Sequence, residues 1–100
     1  MNRMERILTG MKSQGKKILV SYFPLADTIF ENKDAEWAQK YFANGATVLE
    51  MGLPYENPVM DGKTVRNSME RALSHCTTDQ VFDIIKGIRK ACPDKLYEYP

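Results

Sequence analysis

One hundred residues, 43% hydrophobic and 27% charged, set the scale of one small domain with enough apolar side chains for a core, which excludes wholesale disorder. Fourteen Lys and Arg against thirteen Asp and Glu give a formal charge of +1, so no clustered positive surplus argues for nucleic acid or an anionic membrane as partner. No run reaches the roughly 18–20 apolar residues of a membrane span, and MNRMERILTGMKSQGKK is too polar for a signal peptide, so a cytoplasmic protein is expected.

Asn2 caps a first helix whose Met4, Ile7, Leu8 and Met11 recur at helical spacing, and Gly15 stops it. Lys17 to Phe23 (KILVSYF) is a short apolar run rich in β-formers, the first strand, ended by Pro24. A second helix is expected from about Lys33 to Asn44, with Asn32 or Asp34 as N-cap and Trp37, Ala38, Tyr41 and Phe42 on one side. Asn44-Gly45 ends it. Thr47 to Leu53 (TVLEMGL) is the second strand, and its nearly continuous apolar run suits a strand covered on both faces. Two prolines and a glycine make 54–63 a loop. Thr64 to Leu73 follows as a short helix with Val65, Met69, Ala72 and Leu73 on one face. In the last helix, Thr77 to Cys92, Thr77 and Gln80 fit a capping box and Val81, Ile84, Ile85 and Ile88 form the apolar stripe. Leu96 to Pro100 (LYEYP) does not read as a Val/Ile-rich strand. Strands joined through helices imply right-handed parallel crossovers, so the class is α/β, in one small domain.

Glu50 stands out because it interrupts an apolar strand. A carboxylate taken out of water either finds a cation or shifts toward its protonated form. It is therefore either a structural ion-pair partner near a strand end, or an acid/base at the C-terminal end of a parallel strand, where α/β folds place their chemistry. Asp61, eleven residues on in Met60-Asp61-Gly62, is either a turn residue capping the next helix or a second carboxylate facing the same pocket. His75 is the single histidine and lacks the cluster a metal site needs, so it reads as a helix-end or solvent-facing residue. Cys76 and Cys92 match no metal spacing and read as small buried hydrophobes with free thiols. No metal or other cofactor is implied.

The stretch VLEMGLPYENPVMDGKTVRNSMERAL resembles the signature of the tryptophan synthase alpha subunit, roughly E-L-G-I/L-P-F/Y-S-D-P-x-x-D-G-P followed by a helix with R-A. The similarity reaches back to SYFPLAD (Ser21 to Asp27) and forward through the Thr77 helix. It implies the N-terminal portion of a (β/α)8 TIM barrel, truncated after about two βα units. The implied activity is cofactor-free retro-aldol cleavage of indole-3-glycerol phosphate to indole and glyceraldehyde 3-phosphate. By the same resemblance Glu50 is the catalytic acid/base and Asp61 accepts a hydrogen bond from the indole N–H. Tyr22 and Leu25 line the indole pocket, with ordinary barrel core as the alternative for both. Pro54, Tyr55, Glu56, Asn57 and Pro58 correspond to the loop that meets the family's beta subunit.

The sequence departs from the pattern at three places. Ala26-Asp27-Thr28 stands where the family has Gly-Asp-Pro, Glu56-Asn57-Pro58 replaces Ser-Asp-Pro, and Lys63 replaces the proline after Asp-Gly. A full barrel of this kind needs about 250 residues. The expectation is therefore a lyase-type fragment inactive by itself, the alternative being a non-catalytic module that contacts a beta-subunit-like protein.

Overall fold

The computed structural model describes residues 2–54 and 62–99. Helix α1, Arg3–Ser13, begins where the Asn2 side chain accepts the Glu5 N–H at 2.8 Å, and Gly15 at φ 72° turns the chain away from it. None of its residues is fully buried. It is held instead by Arg3, which donates to the carbonyls of Asp94 (2.9 Å) and Lys95 (3.3 Å) just before the third strand. Ile7 and Met11 share a shallow hollow with Thr47, Asp94 and Leu96, so α1 lies across the N-terminal ends of the second and third strands.

Three parallel strands follow in chain order: β1 (Val20–Pro24), β2 (Val48–Gly52) and β3 (Leu96–Glu98). β1 begins three residues later than the apolar run suggests. Leu19 is still tied to Thr47, its N–H donating to the Thr47 hydroxyl oxygen and its carbonyl accepting the N–H groups of Thr47 and Val48, but ladder pairing starts only at Val20↔Val48. β3 was not expected. Its three residues are too short a run to announce themselves, and they become a strand because β2 offers a free edge at Val48, Leu49 and Glu50.

The two faces of the sheet differ. Phe23, Leu49 and Met51 point to the helix side and are fully buried with Phe30, Ala38, Val81, Ile85 and Ile88. There Phe23 stacks on Phe30 at 4.7 Å and meets Tyr41 edge-on at 5.0 Å. Tyr97 continues this face, donating its hydroxyl to the Cys92 carbonyl at 2.7 Å. Burial pushes that phenol up to about 12, so it remains a donor across the neutral range. The alternate residues, Tyr22, Glu50 and Glu98, fall on the opposite face, which is left more open at their level, while Val48 and Leu96 nearer the strands' N-terminal ends are buried.

Helix α2, Asp34–Ala43, packs against α4 on the covered face. Neither expected N-cap operates. Lys33 occupies that position without a side-chain bond, Glu31 and Asn32 take left-handed backbone conformations, and Asp34 is the first helical residue, its carboxylate drawn to the turn after β1. Helix α3, Lys63–Leu73, buries Ser68, Met69 and Ala72 and leaves Leu73 exposed, a stripe rotated from the expected one. Helix α4, Thr78–Ala91, carries the expected capping box with both bonds formed between Thr77 and Gln80. Both cysteines are free; Cys92 is buried and Cys76 partly so. The radius of gyration, 14.2 Å, exceeds the about 13 Å typical of a closed 100-residue domain.

Candidate active site

Parallel pairing sets Tyr22, Glu50 and Glu98 side by side across the three strands, on the more open face. Adjacent strands lie about 4.8 Å apart, so these side chains are immediate neighbours. Glu50 is half-buried, Tyr22 likewise, and Glu98 is exposed. The Tyr22 ring leans over Gly52 at the end of β2, and a Cβ at Gly52 would fall on its hydroxyl and ring carbons. Gly52 is therefore the residue that leaves room for the Tyr22 ring at the end of β2. Replacing Gly52 by Ala is expected to swing the ring away and cost about 1 kcal/mol, as modest overpacking does. A denaturant-melt cycle with Tyr22→Ala checks this, since the two losses should not add.

The turn after β1 is the other ordered element at this end of the sheet. Ala26 is buried with φ 61°, a left-handed conformation that suits glycine. The turn persists because three elements grip it. The Asp34 carboxylate accepts the Ala26 N–H at 2.8 Å, and His75 Nε2 donates to the Ala26 carbonyl at 2.8 Å. Next to it, Arg71 from α3 makes a two-pronged bond to Asp27, Nε to Oδ1 and Nη2 to Oδ2, each 2.7 Å. Burial opposes ionisation of Asp27. Hydrogen bonds from Arg71, Ser68 and the Ile29 N–H, with the Arg71 charge, outweigh it and hold the carboxyl below its ordinary value. Asp34 goes the other way: burial, reinforced by the nearby Asp27 charge, raises it despite the Ala26 N–H and the His75 contribution. A β-branched Ala26→Val variant should lose about 1–2 kcal/mol, the scale of strain at such a backbone position. Ala26→Gly should stay within about 1 kcal/mol of the parent, the gain in backbone freedom offsetting a lost buried methyl. Thermal melts of the two variants decide it.

The sequence profile described as tryptophan synthase alpha chain matches residues 8–99. The chain belongs to this family. Curated relatives include the tryptophan synthase alpha chain of Marinobacter nauticus, 35% identical over 95 residues, covering 94% of this chain and 35% of the relative. That of Alkalilimnicola ehrlichii is 34% identical over 91 residues, covering 90% and 33%. The chain thus spans about a third of the length of these relatives. The crystal structure of tryptophan synthase subunit alpha from Legionella pneumophila superposes with a TM-score of 0.85 at 30% identity, covering 99% of this chain and 38% of that one. A solved structure from Aquifex aeolicus gives 0.84 at 28%, covering 98% and 38%. The α/β unit is accordingly the N-terminal portion of a TIM barrel.

Of the residues singled out from sequence, Glu50 and Tyr22 come together on the open face. Leu25 does not join them: at 1% exposure it packs in the core cluster with Phe23, which is the core alternative stated for it. Asp61 and the loop residues Tyr55, Glu56, Asn57 and Pro58 lie outside the described residues; Pro54 is half-buried. Among the described residues no group of three or more His, Cys, Asp or Glu could hold a metal, and no helix is long and apolar enough to cross a membrane. Sequence reasoning missed Gly52, Glu98 and the Asp27–Arg71 pair. Gly52 carried a readable signal, a glycine two residues beyond a carboxylate on the same strand face.

Proposed function

We propose that the chain supplies the first part of an alpha-type lyase that cleaves indole-3-glycerol phosphate to indole and glyceraldehyde 3-phosphate, acting in the cytoplasm. The observation that carries this reading is Glu50 on the more open face of β2 beside Tyr22, in a chain of this family. In the reaction, the Glu50 carboxylic acid gives its proton to indole C3. The carboxylate so formed takes the proton from the glycerol C3′ hydroxyl as the C3–C3′ bond breaks and the carbonyl forms, so protons balance within the cycle. Asp61 would accept the indole N–H and offset positive charge on the ring. Tyr22 would provide an apolar wall for the indole, while Leu25, buried in the core cluster, would support the turn after β1. The segment Pro54 to Pro58 would face a beta subunit. With three strands of eight in place the chain is proposed to be inactive by itself. That count also favours a second reading, a non-catalytic module that binds a beta-subunit-like protein. A chimera in which this chain replaces the matching segment of the Legionella pneumophila alpha chain separates the two. Indole release from indole-3-glycerol phosphate is expected; a folded chimera that releases none overturns the lyase reading.

A further inference from the structure

A hollow of about 240 Å³ opens between the end of β2 and the junction of α3 and α4. Its walls are apolar. Leu53 and Val81 belong to the helix-side core, and Leu73 and Phe82 flank the opening with 40% and 51% of their surfaces exposed. The Cys76 thiol, free and partly buried, lines the same hollow. This thiol has a partner. Cys76 Sγ lies 3.5 Å from His75 Nδ1, and His75 Nε2 lies 2.8 Å from the Ala26 carbonyl oxygen. A carbonyl oxygen can only accept, so Nε2 carries the ring proton and the neutral imidazole presents Nδ1 as an acceptor for the thiol proton. A nucleophile, a base within reach and a third group that fixes the base's tautomer are the parts of an activated nucleophile. Burial, reinforced by the Asp34 charge, pushes the thiol up from its ordinary value. The sulfur therefore stays protonated at rest and gives up its proton only as it attacks.

The apolar walls select the co-reactant. An electrophile with an apolar body gains by leaving water as it enters, and a charged one does not. We propose that Cys76 is a covalent modification site for small apolar α,β-unsaturated carbonyl compounds, which seat in the hollow between α3 and α4 and are attacked by the thiol with His75 as its base. The step needs no oxidant and releases no leaving group. A sulfur electron pair forms the bond to the β-carbon, and the C=C π pair shifts toward the α-carbon. The thiol proton passes through His75 Nδ1 to that carbon, which leaves the imidazole neutral again. The hollow lies on the Leu49 and Met51 side of β2, so the inference stands apart from the lyase reading.

The test exposes the 100-residue chain to two maleimides, cyclic α,β-unsaturated imides that share one reacting ring, and maps the adducts by mass spectrometry. One is N-phenylmaleimide and the other is 3-maleimidopropionic acid, each rate being divided by that reagent's rate with glutathione. On this scale N-phenylmaleimide is expected to modify Cys76 at least about tenfold faster than the acid does, equivalent to about 1.4 kcal/mol. It should also modify Cys76 faster than the buried Cys92. Phe82→Ala removes one wall and should cut the preference by about threefold or more. His75→Gln keeps an N–H for the Ala26 carbonyl but has no basic nitrogen, and should slow both reagents by about tenfold or more. Circular dichroism of each variant establishes that it is folded as the parent is. Equal scaled rates for the two reagents overturn the proposal, as does a Cys76 that reacts no faster than Cys92. A preference that survives Phe82→Ala, or a His75→Gln chain that reacts as fast as the parent, overturns it as well.

Discussion

Glu50→Gln in the Legionella chimera is expected to lower indole release by about 10²–10⁴-fold, the range that a positioned general acid/base contributes. Gln keeps the size and hydrogen-bonding capacity of the side chain but cannot deliver and reclaim a proton. The melting temperature should therefore stay close to the parent's, because Glu50 makes no ion pair among the described residues whose loss would destabilise the sheet. The loss should fall on kcat rather than KM, since the step removed is made in the transition state. A variant that retained activity within a few fold would remove Glu50 from the chemistry and with it the proposed mechanism. Glu50→Asp provides a second reading of the same site. It keeps a titrating group but withdraws it by about one methylene, and an intermediate rate would show that reach as well as acidity matters.

Asp27→Ala is expected to cost about 2–3 kcal/mol, because two charge-assisted bonds and the cap on the Ile29 N–H disappear from a fully buried side chain. Arg71→Met should be worse at neutral pH than Asp27→Ala, since it leaves the Asp27 carboxylate buried without its cation. The pH dependence distinguishes the two. Asp27 titrates below its ordinary value of 3.8 in the folded chain, so its stabilisation is present above that value and is lost as pH falls through the depressed folded value. Asp34 titrates above 3.8 when folded, so its contribution is full below 3.8 and is lost as pH rises through the raised value. The parent should therefore lose stability on acidification below about 3.8 through Asp27. Asp27→Ala should flatten that limb, and Arg71→Met should recover part of its deficit once Asp27 is protonated. Chemical denaturation between pH 3 and pH 7 (about the span of these transitions) reads all three curves.

The elements whose physics is local were legible from sequence. Thr77 and Gln80 are three residues apart, and their capping box forms as read. Asn2 caps α1 for the same reason. The errors arise where distant parts of the chain compete. Asp34 has the chemistry of an N-cap, but its carboxylate instead accepts the buried Ala26 N–H. β3 is a strand only because β2 stands beside it, a pairing that three residues of Leu-Tyr-Glu do not advertise. Glu50 was legible as a candidate because a carboxylate interrupts an apolar strand, and the parallel register then sets it beside Tyr22. The Asp27–Arg71 pair joins residues 44 apart, and nothing in either local pattern links them. Leu25 follows Pro24 at the point where the strand's alternation ends, so the rule that assigns faces no longer applied to it.

The identity of strand order and chain order has a consequence for synthesis. Each strand emerging from the ribosome finds its neighbour already made: β2 completes a two-stranded unit with β1, and β3 then adds to β2 without insertion between existing strands. Assembly can thus proceed from the N-terminus outward, and at every stage the growing edge is the last strand translated.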